Sequence, residues 1–254
     1  MTAAASSDAA EALVKQGCVR LEQIFDPALI DALRSEYQRQ YPDLAADGMK
    51  VGERRLQLAV QLTGPFLSPE VYANPALLAL ATAALGEDVL IDSIAVVTAL
   101  PGAAPQHLHK DHDDLFLEVP LARSLVGPYA ITVAIPLVDL TPATGTTKLF
   151  LGSHRGKLDE DAVDLPYDPR GGCYVMDYRL WHRGTDNLSA AERPIIYLVY
   201  ARPWFIDIIN YGNNRRINLA AADLASIPAE HRPLFRRLAA FGAFDVPQNR
   251  LFEA

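Results

Sequence analysis

Val89-Leu-Ile-Asp-Ser-Ile-Ala-Val-Val-Thr-Ala-Leu100 is a run of β-branched and aliphatic residues between Asp88 and Pro101. Its composition reads as a strand, and four more runs of the same kind follow. They are Tyr129 to Val138, Lys148 to Leu151, Gly172 to Met176 and Ile195 to Ala201, each bounded by Gly, Pro, Asn or Asp. Upstream, Arg55 to Leu62 reads as another strand, with Arg55, Gln57 and Gln61 on its polar face. Before that the period is helical. Asp26 and Pro27 start a helix that Leu29, Ile30, Leu33 and Tyr37 carry to Arg39. Asn74 and Pro75 start another that stops at Gly86. A last helix is expected over Pro233 to Phe241. Helices therefore come first, many short strands follow, and no βαβ alternation or glycine-rich phosphate loop intervenes. The expected fold is mainly β with flanking helices: a double-sheet jelly roll, or double-stranded β-helix, buttressed by N-terminal helices.

The 254 residues, half of them hydrophobic, are enough for one large core, and no linker or repeat divides them. One domain over residues 1–254 is expected, with residues 1–9 a disordered tail. The net charge of −8 disfavours nucleic acid and anionic membrane as partners. No stretch approaches a membrane span, and the first residues lack the pattern of a signal peptide. A soluble cytoplasmic protein acting on a small molecule follows. Cys18 and Cys173 are the only cysteines and are read as buried reduced thiols.

Three of the six histidines crowd into Gln106-His-Leu-His-Lys-Asp-His-Asp-Asp-Leu-Phe116. His109-Lys110-Asp111 puts an imidazole and a carboxylate on one face of a strand. A third ligand from a distant strand would complete a facial triad, which suits non-haem iron(II) and leaves positions open. His112-Asp113-Asp114 repeats the H-x-D pattern, and chemistry alone leaves the register open. His107 is two residues before His109 and can share its face. Farther on come Gly145-Thr-Thr-Lys-Leu-Phe-Leu-Gly-Ser-His154 and Trp181-His-Arg-Gly-Thr-Asp-Asn187, then Glu192-Arg193-Pro194.

In their order and spacing these motifs resemble the phytanoyl-CoA dioxygenase (PhyH) family of Fe(II)/2-oxoglutarate-dependent oxygenases. The resemblance runs from the Gly17–Leu21 segment to about Trp204. It implies that His109, Asp111 and His182 hold the metal. It places Arg193, eleven residues beyond His182, on the distal carboxylate of 2-oxoglutarate. A guanidinium fork suits that task. Gln106 and Thr147 sit where such enzymes add hydrogen bonds to the co-substrate. The glutamine three residues before His109 selects the first H-x-D over the second. His154, in the Gly-Ser-His turn, is implied to be structural. The implied cofactors are Fe(II), 2-oxoglutarate and O2. The implied reaction hydroxylates an unactivated C–H bond and releases succinate and CO2.

Halogenating relatives carry a small residue where Asp111 stands, so hydroxylation is expected, with desaturation, cyclisation and epimerisation as alternative outcomes. A metal-binding jelly roll without oxygenase activity and a zinc hydrolase are the other readings. Arg193 argues against both, since neither needs it. For the substrate pocket the candidates are Lys110, Phe116, Tyr129, Gln61 and Trp204, with Phe205 to Tyr211 as a lid.

Overall fold

The computed structural model describes residues 3–116, 118–119, 126–156, 158–207, 209–210 and 216–240. The chain begins in helix α1 (Ala3–Gln16), which corrects the expected tail from Ala3 onward. Alanines favour the helix, and Ala9 and Leu13 bury into the core, which fixes a segment that propensity alone would leave fraying. Gly17, at φ +78°, turns the chain into β1 (Cys18–Leu21). In α2 (Pro27–Gln40) the Asp26 side chain accepts from the Ala28 N–H at 2.8 Å, and Ile30, Leu33 and Tyr37 face inward. A short α3 (Leu44–Asp47) precedes the hairpin of β2 (Met49–Gly52) and β3 (Arg55–Leu58). Then come α4 (Pro69–Tyr72) and α5 (Pro75–Leu85), the latter capped by Asn74 and ended by Gly86.

The strand-rich part holds β4 (Leu90–Ala99), β5 (Ala130–Pro136), β6 (Thr147–Phe150), β7 (Val163–Asp164), β8 (Cys173–Asp177), β9 (His182–Gly184) and β10 (Arg193–Ala201). A small α6 (Ala221–Ser226) follows, then a 3-10 turn over Arg232–Phe235 that runs into α7 (Arg236–Ala240). The last helix thus starts as a tighter turn than expected, and Phe241 lies outside the described residues. No described helix is long and apolar enough to cross a membrane.

The strands form two antiparallel sheets, one ordered β1-β8-β5-β10-β4-β3-β2 and one ordered β7-β6-β9. This is the expected jelly-roll class. The side-chain period of two divides the large sheet into two faces. Ile94, Val96, Ile131, Val133, Ile135, Ile196 and Leu198 point to one face and join Leu13, Ile30, Leu33 and Leu80 of the helices in the largest core cluster. The helices therefore cover that face, and Tyr37 of α2 bonds Thr98 of β4 through its hydroxyl at 2.8 Å. The alternate residues point to the other face. Ala95 and Val97 of β4, Thr132 of β5 and Tyr197 and Val199 of β10 line a cavity there. Helices on one side leave that face to the small sheet and to chemistry.

Candidate metal centre

His109 and His182 are opposite one another in an antiparallel bridge. The His109 N–H donates to the His182 carbonyl at 3.0 Å, and the His182 N–H donates to the His109 carbonyl at 2.8 Å. Reciprocal bonds of this kind hold two residues face to face, and the imidazole centroids are 4.4 Å apart. Asp111 completes the group: its Oδ1 is 3.5 Å from His182 Nε2, and ligand atoms of all three residues lie within 4.8 Å of one another. It is the only such group found among the described residues.

The surroundings prepare these atoms for a cation. Each histidine donates its Nδ1–H to a main-chain carbonyl two residues earlier, His109 to His107 and His182 to Leu180, both at 2.9 Å. A carbonyl only accepts, so each Nε2 keeps its lone pair for a metal. Burial, and then His182 beside it, holds the His109 pKa below the ordinary imidazole value, which favours the neutral ligating form. Thr132 Oγ1 donates to Asp111 Oδ2 at 3.0 Å, which turns Oδ1 toward the imidazoles. Two imidazoles and one carboxylate on one side of an open cavity fit iron(II).

The rival histidine and aspartate point elsewhere. His112 Nδ1 bonds the Asp113 carbonyl at 2.8 Å and lies 3.1 Å from the Tyr129 hydroxyl, with its ring edge-on to Phe205. Asp114 is buried and accepts from Lys110 Nζ at 3.1 Å. His154 bonds the Val14 carbonyl through Nε2 at 3.0 Å and packs over Gly17. His107 lines the cavity beside His109.

The cavity has a volume of about 420 Å³. Gln106 lines it, with Oε1 accepting from the Gly184 N–H at 3.0 Å. Thr147 is buried and joins a hydroxyl chain, 2.7 Å to Tyr174 and 3.5 Å to Tyr197, and Tyr197 reaches the cavity wall. Arg193 is fully buried. It donates to the carbonyls of Thr144 at 2.8 Å, Thr185 at 3.1 Å and Asp186 at 3.3 Å, and it is not among the lining residues.

A second guanidinium stands beside it. Ala99 of β4 pairs with Arg193 on β10 and with Arg55 on β3, so the two arginines occupy one row with a methyl group between them. Arg55 donates to the carbonyls of Ala104 and Thr185 at 3.1 and 3.0 Å. Burial, and then Arg193, pushes the Arg55 pKa down to about 10, and burial also lowers Arg193. Among the described residues neither pairs with a carboxylate, and each leaves its buried Nε–H without a partner. Two adjacent buried cations with unused donors and, among the described residues, no salt-bridged carboxylate fit an anion.

Of the substrate candidates, Lys110 lines the cavity, although its ammonium group is held by Asp114 and lies 5.4 Å from the Trp181 ring. The other four do not line it. Phe116 and Trp204 are exposed, Tyr129 is buried with its hydroxyl on the Asp113 carbonyl, and Gln61 bridges to Asn218. In the expected lid, Ile208 and Tyr211 lie outside the described residues. Thr132, Tyr197 and Asn210 line the cavity and Arg55 stands beside Arg193, although no motif marks them. Thr132 carried a signal, a lone hydroxyl inside the Ala130–Pro136 strand. Arg55 carried only its place on a polar face.

The family model described as phytanoyl-CoA dioxygenase (PhyH) matches residues 13–195. Dioxygenase af480 of Aspergillus fumigatus is 28% identical over 150 residues, 56% of this chain and 47% of that protein. The chain thus spans about half the length of that curated relative. Among solved structures, the non-heme alpha ketoglutarate dependent epimerase SnoN from nogalamycin biosynthesis superimposes with a TM-score of 0.61 at 19% identity, covering 79% of this chain and 82% of that one. HygX from Streptomyces hygroscopicus, solved with nickel and 2-oxoglutarate bound, superimposes at 0.63 with 15% identity, covering 79% and 88%. At such identities the superpositions show a shared fold.

Proposed function

The chain belongs to the phytanoyl-CoA dioxygenase family of iron(II)- and 2-oxoglutarate-dependent enzymes, and on that premise we propose that it hydroxylates an unactivated C–H bond of a small molecule. The carrying observation is the joint presence of the His109, Asp111 and His182 donor atoms and the two buried arginines, neither salt-bridged among the described residues, in the row through Ala99. A metal-binding jelly roll or a zinc hydrolase has use for the first and none for the second.

His109, Asp111 and His182 would hold iron(II). Bound together, iron(II), 2-oxoglutarate and O2 supply the oxidising power, with succinate and CO2 as products. Arg193 and Arg55 would hold the distal carboxylate of the co-substrate, and the Thr147–Tyr174–Tyr197 hydroxyls would add hydrogen bonds. Gln106 braces β9 through Gly184 and so keeps His182 in place. The bonds at Nδ1 fix both imidazole planes, and Thr132 fixes the carboxylate, so the ligands need little rearrangement when the ion enters. The apolar walls at Val97 and Val199 limit water beside the reacting carbon.

The test is anaerobic addition of Fe(II) and 2-oxoglutarate, read by the weak visible charge-transfer band of a chelated 2-oxo acid. His109→Ala and Asp111→Ala should each abolish the band. A band unchanged in both variants would sink the assignment. Arg193→Ala should keep metal binding and weaken 2-oxoglutarate by about ten- to a hundredfold, as expected for lost hydrogen bonds to a charged group. An unchanged affinity would remove its role.

A further inference from the structure

Beside the triad, Asp207 is wholly buried in the segment after β10 and receives four hydrogen bonds. Its Oδ1 accepts from the N–H groups of Ile209 at 2.8 Å and Asn210 at 3.1 Å. Its Oδ2 accepts from the Tyr178 hydroxyl and from Asn210 Nδ2, the latter at 2.8 Å. Asn210 Nδ2 also donates to the main-chain carbonyl of the ligand residue Asp111, at 2.6 Å. A primary amide has two N–H donors and one accepting oxygen. Both donors go to groups that can only accept, which settles which end of the amide is which. What Asn210 has left for the cavity it lines is its carbonyl oxygen, Oδ1.

We propose that Asn210, positioned by Asp207, is a specificity-determining residue that accepts a hydrogen bond from a hydroxyl or amino group of the substrate, next to the metal. The inference rests on the oxygenase reading above and names the substrate chemistry for it. An uncommitted carbonyl oxygen on a half-buried residue that lines a cavity favours a donor and rejects an acceptor that cannot donate. The rest of this side of the cavity agrees. Val51, Ala95, Val97 and Val199 are apolar, and Lys110 is held by Asp114. The guanidinium groups of Arg55 and Arg193 are assigned to the co-substrate. Among the described residues that line the cavity, Lys110 is the one lysine or arginine, so a carboxylate or phosphate on the substrate would meet Asp111 and the Asn210 oxygen with that cation already held by Asp114. A neutral or cationic donor-bearing molecule, such as a polyol, glycoside, amino sugar or hydroxylated polycycle, fits the wall.

The experiment uses the full chain loaded anaerobically with Fe(II) and 2-oxoglutarate, and follows perturbation of the visible band by a matched panel. Sugars, amino sugars and hydroxylated polycycles are each compared with their O-methyl or N,N,N-trimethylammonium counterparts, which cannot donate, and with sugar acids and an acyl-CoA thioester. Donor-bearing compounds should perturb the band at lower concentration than their alkylated partners. Asn210→Ala should still form the band, since it touches no ligand atom. It should also remove about tenfold of the preference for the donor-bearing member of each pair. A purely structural role would weaken both members alike and leave the ratio unchanged, which would overturn the proposal. So would tightest binding by the anionic compounds, or no binding in any class. Asp207→Asn should reproduce the loss of preference with the band intact. If wild type forms no band at all, the oxygenase reading fails first and this inference with it.

Discussion

Thr132 shows how much one side chain can decide at this site. It is buried on β5, and its hydroxyl holds the Asp111 oxygen that does not face the imidazoles. Without that bond the carboxylate can rotate, and both of its oxygens compete for other partners. Thr132→Val keeps the shape and removes the donor, so iron(II) affinity should fall by about ten- to a hundredfold. Thr132→Ser should restore most of it. Titration of Fe(II) against the 2-oxoglutarate band checks both, and equal affinity in the valine variant would show that Asp111 orients itself. Another residue reports on proton linkage. Burial lowers the His154 pKa below its ordinary value of 6.5. Between that folded value and about 6.5 the unfolded chain binds more protons, so stability rises with pH there and is lost on acidification. Each tenfold difference in proton affinity is worth about 1.4 kcal/mol. His154→Gln keeps a donor for the Val14 carbonyl and does not titrate. Its urea midpoint should therefore fall less than that of wild type between pH 7 and pH 5, and parallel curves would refute the linkage.

At the scale of elements, the glycine in Gly145-Thr-Thr is a condition for the arginine row. Gly145 has φ +76°, and a Cβ there would lie 2.0 Å from the Asp186 carbonyl and 2.2 Å from Arg193 Nη1. The loop entering β6 and the start of β10 approach each other only because that atom is missing. Gly145→Ala should destabilise the protein by more than about 1 kcal/mol. It should also weaken 2-oxoglutarate binding more than Fe(II) binding, because the clash falls on Arg193 rather than on the triad. Calorimetry with each ligand separates the two effects; equal losses would place the damage in folding alone. Elements with a strong local signal were legible in advance. The capped α2 and α5 and the long runs of β4, β5 and β10 lie within a few residues of their expected places. The two-residue β7 and the four-residue β1 and β2 were not, because so few residues show no period and such strands exist through their partners. Helix α1 was missed because its evidence is the burial of Ala9 and Leu13, which is tertiary.

For the molecule as a whole, the same division explains the site. His109, Asp111 and His182 were legible because motif and spacing are linear. Arg55 and Asn210 were not, since the register of β3 on β4 brings in the first and the bond of Asn210 to the Asp111 carbonyl the second. The segment after β10 is fastened by one buried carboxylate. Asp92 on β4 has no exposed surface, and it pairs with Arg216 and Arg237. Arg237 also donates to the Phe205 carbonyl at 2.6 Å, which joins the C-terminal helices to the segment that carries Asp207. Burial lowers both arginines, Arg216 to about 9 and Arg237 to about 10, but leaves them cationic near neutral pH. Asp92→Ala would thus remove the one buried carboxylate that both arginines share, at a cost of about 3–5 kcal/mol. The loss should appear in urea unfolding. Hydrogen exchange should locate it first in residues 216–238 and then at 205–210, with the β4–β10 ladder the last to open. A loss under 1 kcal/mol, or exchange that rises evenly over the chain, would mean that hydrophobic packing alone fastens this segment. The substrate wall at Asn210 would then owe nothing to the C-terminal helices.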